Sequence, residues 1–406
     1  MPPMPARSHV ADPLGRRGAL DGIRVVEIAS FITGPYATML LGDYGAEVVK
    51  VEERAAGDPF RTWDGGDYAT TFLAFNRNKR SVTLDLRQEE GRAIFMRLAE
   101  RADVIVENYR PGVVESLGIG YEDVRKINGR VVYCSITGFG RSGPYRDLPG
   151  YDTVGQAMSG LLSLVTEMDD PQVPGVSFSD NVTGLSACNG ILAALVARGR
   201  TGEGQHVQTS LLQATASFLQ EAVSRYLGHG AVPLRKTRAQ AALVFAFVAG
   251  DGLPFIVHLS SPAKFWESLT DAIERPELRD DPRFSERARR MEHYDELREV
   301  LAERFATAPR EEWTERLRAH DVPAAPLNTI EEMLADPQVR HMGLQIALEH
   351  PERGTVGLAG GPVSLEGTPV TYDSAPPVLG EHTLEVLAPL GYDAAAVAAL
   401  RGRRVV

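Results

Sequence analysis

The chain has 406 residues, a formal net charge of −11, and hydrophobic and charged fractions of 43% and 24%. Those proportions belong to a globular protein, the length exceeds one ordinary core, and the acidic excess argues against nucleic acid or an anionic membrane as partner. The two cysteines, Cys134 and Cys188, lie in apolar segments and read as buried thiols, a usage that fits the cytoplasm.

Residues 1–19 carry Pro and Arg but no apolar run of signal-peptide length, so they read as a loose tail. Ile23-Arg-Val-Val-Glu-Ile28 is a β-branched run, followed by Thr33-Gly34-Pro35 and then Tyr36 to Tyr44. That order predicts a strand, a turn with proline near the helix start, and a helix. Ala46 to Val51 closes the first βαβ unit. The pattern recurs through a strand at Ser81–Leu86, a helix at Glu89–Arg101, a strand at Asp103–Glu107, a helix at Tyr121–Ile127 and a strand at Val131–Ser135. Helices around Gln156–Leu164 and Thr183–Arg198, a strand at His206–Ser210 and a helix over Leu211–Leu227 follow. Strands alternating with helices imply an α/β fold, a doubly wound, Rossmann-like and mostly parallel sheet. After Gly228-His-Gly230 the pattern changes to two or three strands and charge-rich helices, a smaller α+β domain. The predicted division is therefore a large domain over 20–227, a small one over 228–325, and a segment over 326–406 whose helices return to the large domain. Asp321–Pro326 reads as a linker. The most apolar runs, Ile191–Ala197 and Ala241–Ala249, fall short of the ~20 residues a membrane helix needs, and the reading is a soluble protein.

Most standard enzyme signatures are missing. The first βα turn reads Ala29-Ser-Phe-Ile-Thr-Gly34-Pro35, without Gly-x-Gly-x-x-Gly, which removes the main support for nicotinamide or flavin. There is no phosphate loop of the Gly-x-x-x-x-Gly-Lys-Ser/Thr type and no Gly-x-Ser-x-Gly elbow, and the nine histidines lack metal-ligand spacing, so no metal site is expected. What remains is a set of polar segments. Asn76-Arg-Asn-Lys-Arg80 reads as a solvated turn. Glu107-Asn108-Tyr109-Arg110-Pro111-Gly112 follows a predicted parallel strand at its carboxyl end, where open α/β sheets bind ligands. An amide, an aromatic ring and an arginine there could hold an adenine and a phosphate. Asp180, in Gly175-Val-Ser-Phe-Ser-Asp180, is a lone carboxylate ahead of an apolar helical segment. Its local reading is a helix cap. A carboxylate of ordinary pKa, about 3.9, is also a nucleophile needing no activating base, and the small residues near it, Gly184 among them, would leave room for a substrate.

Segments in order from residue 20 to residue 383 carry a resemblance. They include Leu20-Asp-Gly-Ile-Arg-Val-Val-Glu27, Gly42-Asp-Tyr-Gly-Ala-Glu-Val-Val-Lys-Val-Glu52, Asn78-Lys-Arg-Ser-Val-Thr-Leu-Asp-Leu86, Arg110-Pro-Gly112, Gly150-Tyr-Asp152, Thr201-Gly-Glu-Gly-Gln205 and Gly380-Glu-His-Thr383. The chain resembles the class III coenzyme A transferases (CaiB/BaiF type), which include formyl-CoA transferase, carnitine CoA-transferase and α-methylacyl-CoA racemase. The resemblance implies transfer of CoA from an acyl-CoA to a small carboxylic acid, an interlaced homodimer, and Asp180 as a nucleophile that forms a covalent aspartyl intermediate.

The resemblance also implies site residues. Leu84, Leu86 and Arg87 fall where the family lines the adenine and phosphate end of CoA, and Asn108 and Tyr109 where an asparagine and an aromatic ring contact the cofactor; Arg110 is a further cation on which CoA affinity would rest. Glu53 and Ser116 replace basic residues of the formyl branch, with Arg54 as a substitute for the first. Trp63, Ile32, Tyr151 and Asp152 fall at the acyl site. Tyr151 stands where racemase relatives have a histidine; with a pKa near 10 it is a poor proton shuttle at neutral pH, which favours transferase over racemase. A non-catalytic CoA-binding subunit is a further alternative, disfavoured by the presence of Asp180. Where the formyl branch has a run of glycines, this chain has Ala239–Phe247, a core strand or an apolar wall. Arg235-Lys-Thr-Arg238 before it is either a solvated charge run or a partner for the free carboxylate of a dicarboxylic acyl group such as succinyl.

Overall fold

The computed structural model describes residues 18–66, 68–260 and 262–406, so the expected tail falls, up to residue 17, outside the described residues. Six strands, Arg24–Ile28 (β1), Glu47–Glu52 (β2), Lys79–Thr83 (β3), Val104–Glu107 (β4), Val132–Thr137 (β5) and Gln205–Ser210 (β6), pair in parallel in the order β3-β2-β1-β4-β5-β6. The central strands β1, β4 and β5 are mostly apolar, as strands covered on both faces are, whereas the edge strands β3 and β6 are mostly polar. With a side-chain period of two, Val26, Val49, Ile105 and Tyr133 face one core, filled by Ile94, Phe95 and Leu98 and by Val386, Leu387 and Leu400 near the C-terminus. Val25, Val48, Val104 and Val132 face the other, filled by helices Thr33–Asp43 (α1) and Phe178–Thr201 (α3), between which Asp152–Met158 (α2) lies in sequence. Strand order reverses between β1 and β4, and the crevice beyond their carboxyl ends is where such sheets take ligands.

The chain divides into two compact units. One holds the six-stranded sheet and consists of the residues up to Leu161, Val173–Gln220 and Arg340–Val406. The other consists of Leu162–Gln172 and Glu221–Val339. It contains an antiparallel sheet, Val244–Val248 (β7), Pro254–His258 (β8) and Ala324–Pro326 (β9), in the order β7-β8-β9. Its core is aromatic: Phe247, Phe255, Phe305 and Trp313 meet at centroid distances of 4.7–5.9 Å.

Several expectations are corrected. The stretch read as a linker, Asp321–Pro326, supplies edge strand β9; an edge tolerates Pro326, which has no N–H to donate. Ala239–Phe247 is neither one strand nor one wall. Ala239–Ala242 ends the helix Arg235–Ala242, Leu243 turns the chain at φ 48°, and β7 follows. The helix over Leu211–Leu227 breaks at Leu219 into Leu211–Phe218 and Gln220–His229. Helix α3 starts at Phe178 rather than Thr183 and is long and apolar enough to cross a membrane by length and composition; Ala187, Cys188, Ile191 and Ala194 are buried on the sheet.

Asn76–Arg80 is not a solvated turn. Arg77, 2% exposed, makes a two-pronged bridge to Asp43 at 2.8 and 2.6 Å. Buried Lys79 reaches Glu27 at 2.8 Å and donates to the Pro35 carbonyl at 2.8 Å. Glu27 also meets Lys50 at 2.6 Å. Burial alone would raise the Glu27 carboxyl, but Lys50 and Lys79 hold it down at about 2. Buried charges survive only when paired and hydrogen-bonded in this way.

Candidate active site

Helix α3 brings Asp180 to the sheet crevice. Asp180 lies in the first turn of α3 and is not its cap; Ser177 precedes the helix. The free N–H of Asp180 donates instead to Asp152 Oδ1 at 3.1 Å. Asp152 is fixed in turn by Gln156, whose Nε2 donates to Oδ2 at 2.5 Å and to the Val176 carbonyl at 3.1 Å. The cap is thus supplied by α2, which leaves the Asp180 side chain free of that duty. Among the described residues, no hydrogen bond or ion pair engages its carboxylate. Burial, and then the Asp152 charge, push that carboxyl up to about 7. At neutral pH it is therefore about half ionised, not fully so as an ordinary aspartate would be.

Gly184 does not make room for a substrate. A Cβ there would stand 2.9 Å from the Thr33 carbonyl oxygen and 3.0 Å from the Tyr36 ring, so the missing side chain lets α1 and α3 approach.

Asp180 opens into a cavity of about 820 Å³ within the larger unit. Eight of the expected site residues line it: Asp180, Asp152, Tyr151, Ile32, Trp63, Asn108, Tyr109 and Arg110. Trp63 and Tyr151 are 66% and 63% exposed, broad rings at the opening. Ile32 is buried and packs with Phe60 and Phe72. Asn108 has its amide occupied within the protein: it accepts from Ser30 N–H at 3.0 Å and donates to the Ser30 carbonyl at 2.7 Å and Thr33 Oγ1 at 3.1 Å. These bonds pin the β1–α1 loop. Beneath it, Glu107 accepts the Tyr109 N–H at 2.8 Å and lies 3.6 Å from the Arg141 guanidinium. Burial pushes its carboxyl up to about 7.

The other four do not line this cavity. Leu84, 1% exposed, belongs to the core, and Leu86 packs against that core. Arg87 is exposed and Arg54 half-buried; both lower the Asp85 carboxyl electrostatically, and the Arg87 charge also reaches Tyr109. Neither is part of the cavity wall. Arg238, considered for a second carboxylate, belongs to the other unit and pairs with Glu221 at 3.0 Å. Sequence reasoning missed Phe31, Phe60 and Arg146, which line the cavity. Phe60 follows the Gly57-Asp58 turn and Phe31 precedes Ile32, but nothing in their spacing marks them. Among the described residues, no group of three His, Cys, Asp or Glu side chains is placed to hold a metal ion.

Comparison with known proteins agrees with this geometry. A sequence model of "CoA-transferase family III" matches residues 20–383. The chain is 36% identical to the human succinyl-CoA:glutarate CoA-transferase, over 95% of this chain and 90% of the relative. It is 35% identical to the succinate–glutarate CoA-transferase of Agrobacterium fabrum, over 94% and 98% of the two chains. A crystal structure of a CaiB/BaiF family protein from Brucella suis superposes with a TM-score of 0.83 at 36% identity, over 92% of this chain and all of that one. An acidic chain that places an unpartnered aspartate in a deep crevice of a parallel sheet, and matches these proteins along almost its whole length, belongs to CoA-transferase family III.

Proposed function

We propose that this enzyme moves CoA from a dicarboxylic acyl-CoA, succinyl-CoA foremost, to a small carboxylic acid through covalent intermediates on Asp180. The observation that carries the reading is the Asp180 carboxylate, free of partners and facing the cavity beside the rings of Tyr151 and Trp63. The names of the two transferase relatives support succinate and glutarate as the class of acid.

The ionised carboxylate attacks the thioester carbonyl, the C–S bond breaks, and CoA leaves as thiolate, giving a mixed anhydride. The thiolate then attacks the Asp180 acyl carbon, forming an aspartyl-CoA thioester and releasing the donor acid as carboxylate. The acceptor carboxylate attacks that thioester, the second anhydride forms, and the thiolate returns to the acceptor acyl carbon. Asp180 emerges unchanged, and every bond broken is matched by one formed. Splitting the exchange avoids direct attack by a free carboxylate on a distant thioester. A carboxyl near 7 suits both halves: burial leaves the ionised form poorly solvated and reactive, and the carboxyl remains a competent leaving group.

Incubation with succinyl-CoA and hydroxylamine, followed by mass analysis of the peptide containing Asp180, tests the mechanism. A hydroxamate on Asp180 is expected. Its appearance on another residue, or its absence while the donor is consumed, would overturn the covalent route.

A further inference from the structure

Phe31 is the one wall of the cavity held in a strained conformation. Its φ is +64°, a left-handed value that a bulky non-glycine residue adopts at a cost. Such a conformation persists only where the surroundings over-determine it. Here they do so from three sides. Asp58 Oδ1 accepts the Phe31 N–H at 3.1 Å. Lys50 Nζ donates to the Ala29 carbonyl at 2.8 Å and to Asp58 Oδ2 at 2.9 Å. Asn108 holds both backbone groups of Ser30. Lys50 and Asp58 are 0% and 2% exposed, so this strut is not loosened by water.

The strain places the ring edge-on against Phe60, Trp63 and Tyr151, at centroid distances of 5.3, 6.3 and 6.2 Å. Two of those three rings are largely exposed, whereas the Phe31 ring springs from a backbone held in place by Asp58, Lys50 and Asn108. We infer that Phe31 is a specificity-determining residue whose ring limits the length of the acyl group, and that Asp58 and Lys50 are positioning residues that hold it there. This rests on the reading that the cavity receives the acyl group of an acyl-CoA. On this reading a longer acyl chain must displace the Phe31 ring, and the backbone beneath that ring is held in place.

The test measures binding and turnover separately, using succinyl-, glutaryl- and adipyl-CoA with the full chain. Phe31→Ala and Phe31→Gly both remove the ring. In each, the ratio of Kd for adipyl-CoA to Kd for succinyl-CoA, read by calorimetry, is expected to fall about tenfold from wild type, the scale of one or two methylenes in a fitted pocket. Glycine suits φ +64° and alanine does not, so Phe31→Gly should melt at the higher temperature of the two. Asp58→Asn keeps one acceptor for the Phe31 N–H but loses the charge that faces Lys50. It should move the same Kd ratio in the same direction, by less, while Asp58→Glu fails to restore it because the longer arm misplaces the loop. An unchanged ratio in both Phe31 variants would overturn the inference. If wild type bound all three acyl-CoAs but passed CoA to no acid, the transfer reading would fail while the ratios still judged Phe31.

Discussion

At the scale of single residues, the site turns on the ionisation of Asp180. Its folded carboxyl sits near 7, against about 3.9 in an unfolded chain. The folded state therefore binds that proton more tightly, and its contribution to stability is present below about pH 4 and lost as the pH rises through 7. Asp180→Asn removes the ionisation. Its melting temperature should match wild type at pH 4 and exceed it above pH 7, by the equivalent of about 1–3 kcal/mol, while transfer falls by about three orders of magnitude or more. An equal melting difference at both pH values would contradict the assigned burial. Because Asp180 must be ionised to act as the nucleophile we propose, kcat/KM should rise with pH through an inflection near 7. Glu107 also sits near 7, so a second variant separates them. Asp152→Asn keeps an acceptor for the Asp180 N–H but removes the neighbouring charge, and should move the inflection to lower pH. Little of this was legible in the sequence. The position of Asp180 was, through the order of motifs around it, but its environment depends on Asp152 and Gln156 on a separate helix.

Between elements, the close contacts are made by residues whose sequence context looked bland. Gly184 faces the Thr33 carbonyl and Tyr36, so Gly184→Leu should drive α1 and α3 apart and cost about 1–3 kcal/mol or more in denaturant unfolding. Arg77→Ala would leave Asp43 buried without its bidentate partner, which elsewhere costs about 3–5 kcal/mol; the same denaturation experiment measures it. Strands β1, β2, β4 and β5 and the helices between them at Thr33–Asp43, Glu89–Arg101 and Tyr121–Ile127 were readable because β-branched runs and helical periodicity alternate there; the one-turn helices Thr70–Leu73 and Val113–Ser116, too short to show a period, were not. The reading failed at Asn76–Arg80, where a run of amides and cations is locally indistinguishable from a surface turn. Only the acids brought opposite it, Asp43 and Glu27, make burial possible. It failed again at Asp321–Pro326, where the partner strand β8 lies far away in sequence.

For the whole molecule, a net charge of −11 opposes the approach of an anionic CoA, and local cations must offset it. We propose that Arg87, whose charge reaches Tyr109, is one of these cations. Arg87→Ala should raise KM for acyl-CoA about three- to tenfold with little change in kcat, and raising salt should have a similar effect on wild type. The sequence by itself determined the alternation of strands and helices, the family and the place of the proposed nucleophile, because these depend on local periodicity and on motif order along one chain. Tertiary structure alone decided that burial raises the Asp180 carboxyl, that Asn108 is occupied within the protein, and that the Phe31 backbone is held in place. Each of those follows from desolvation or from hydrogen bonds between residues remote in sequence, which no local pattern encodes.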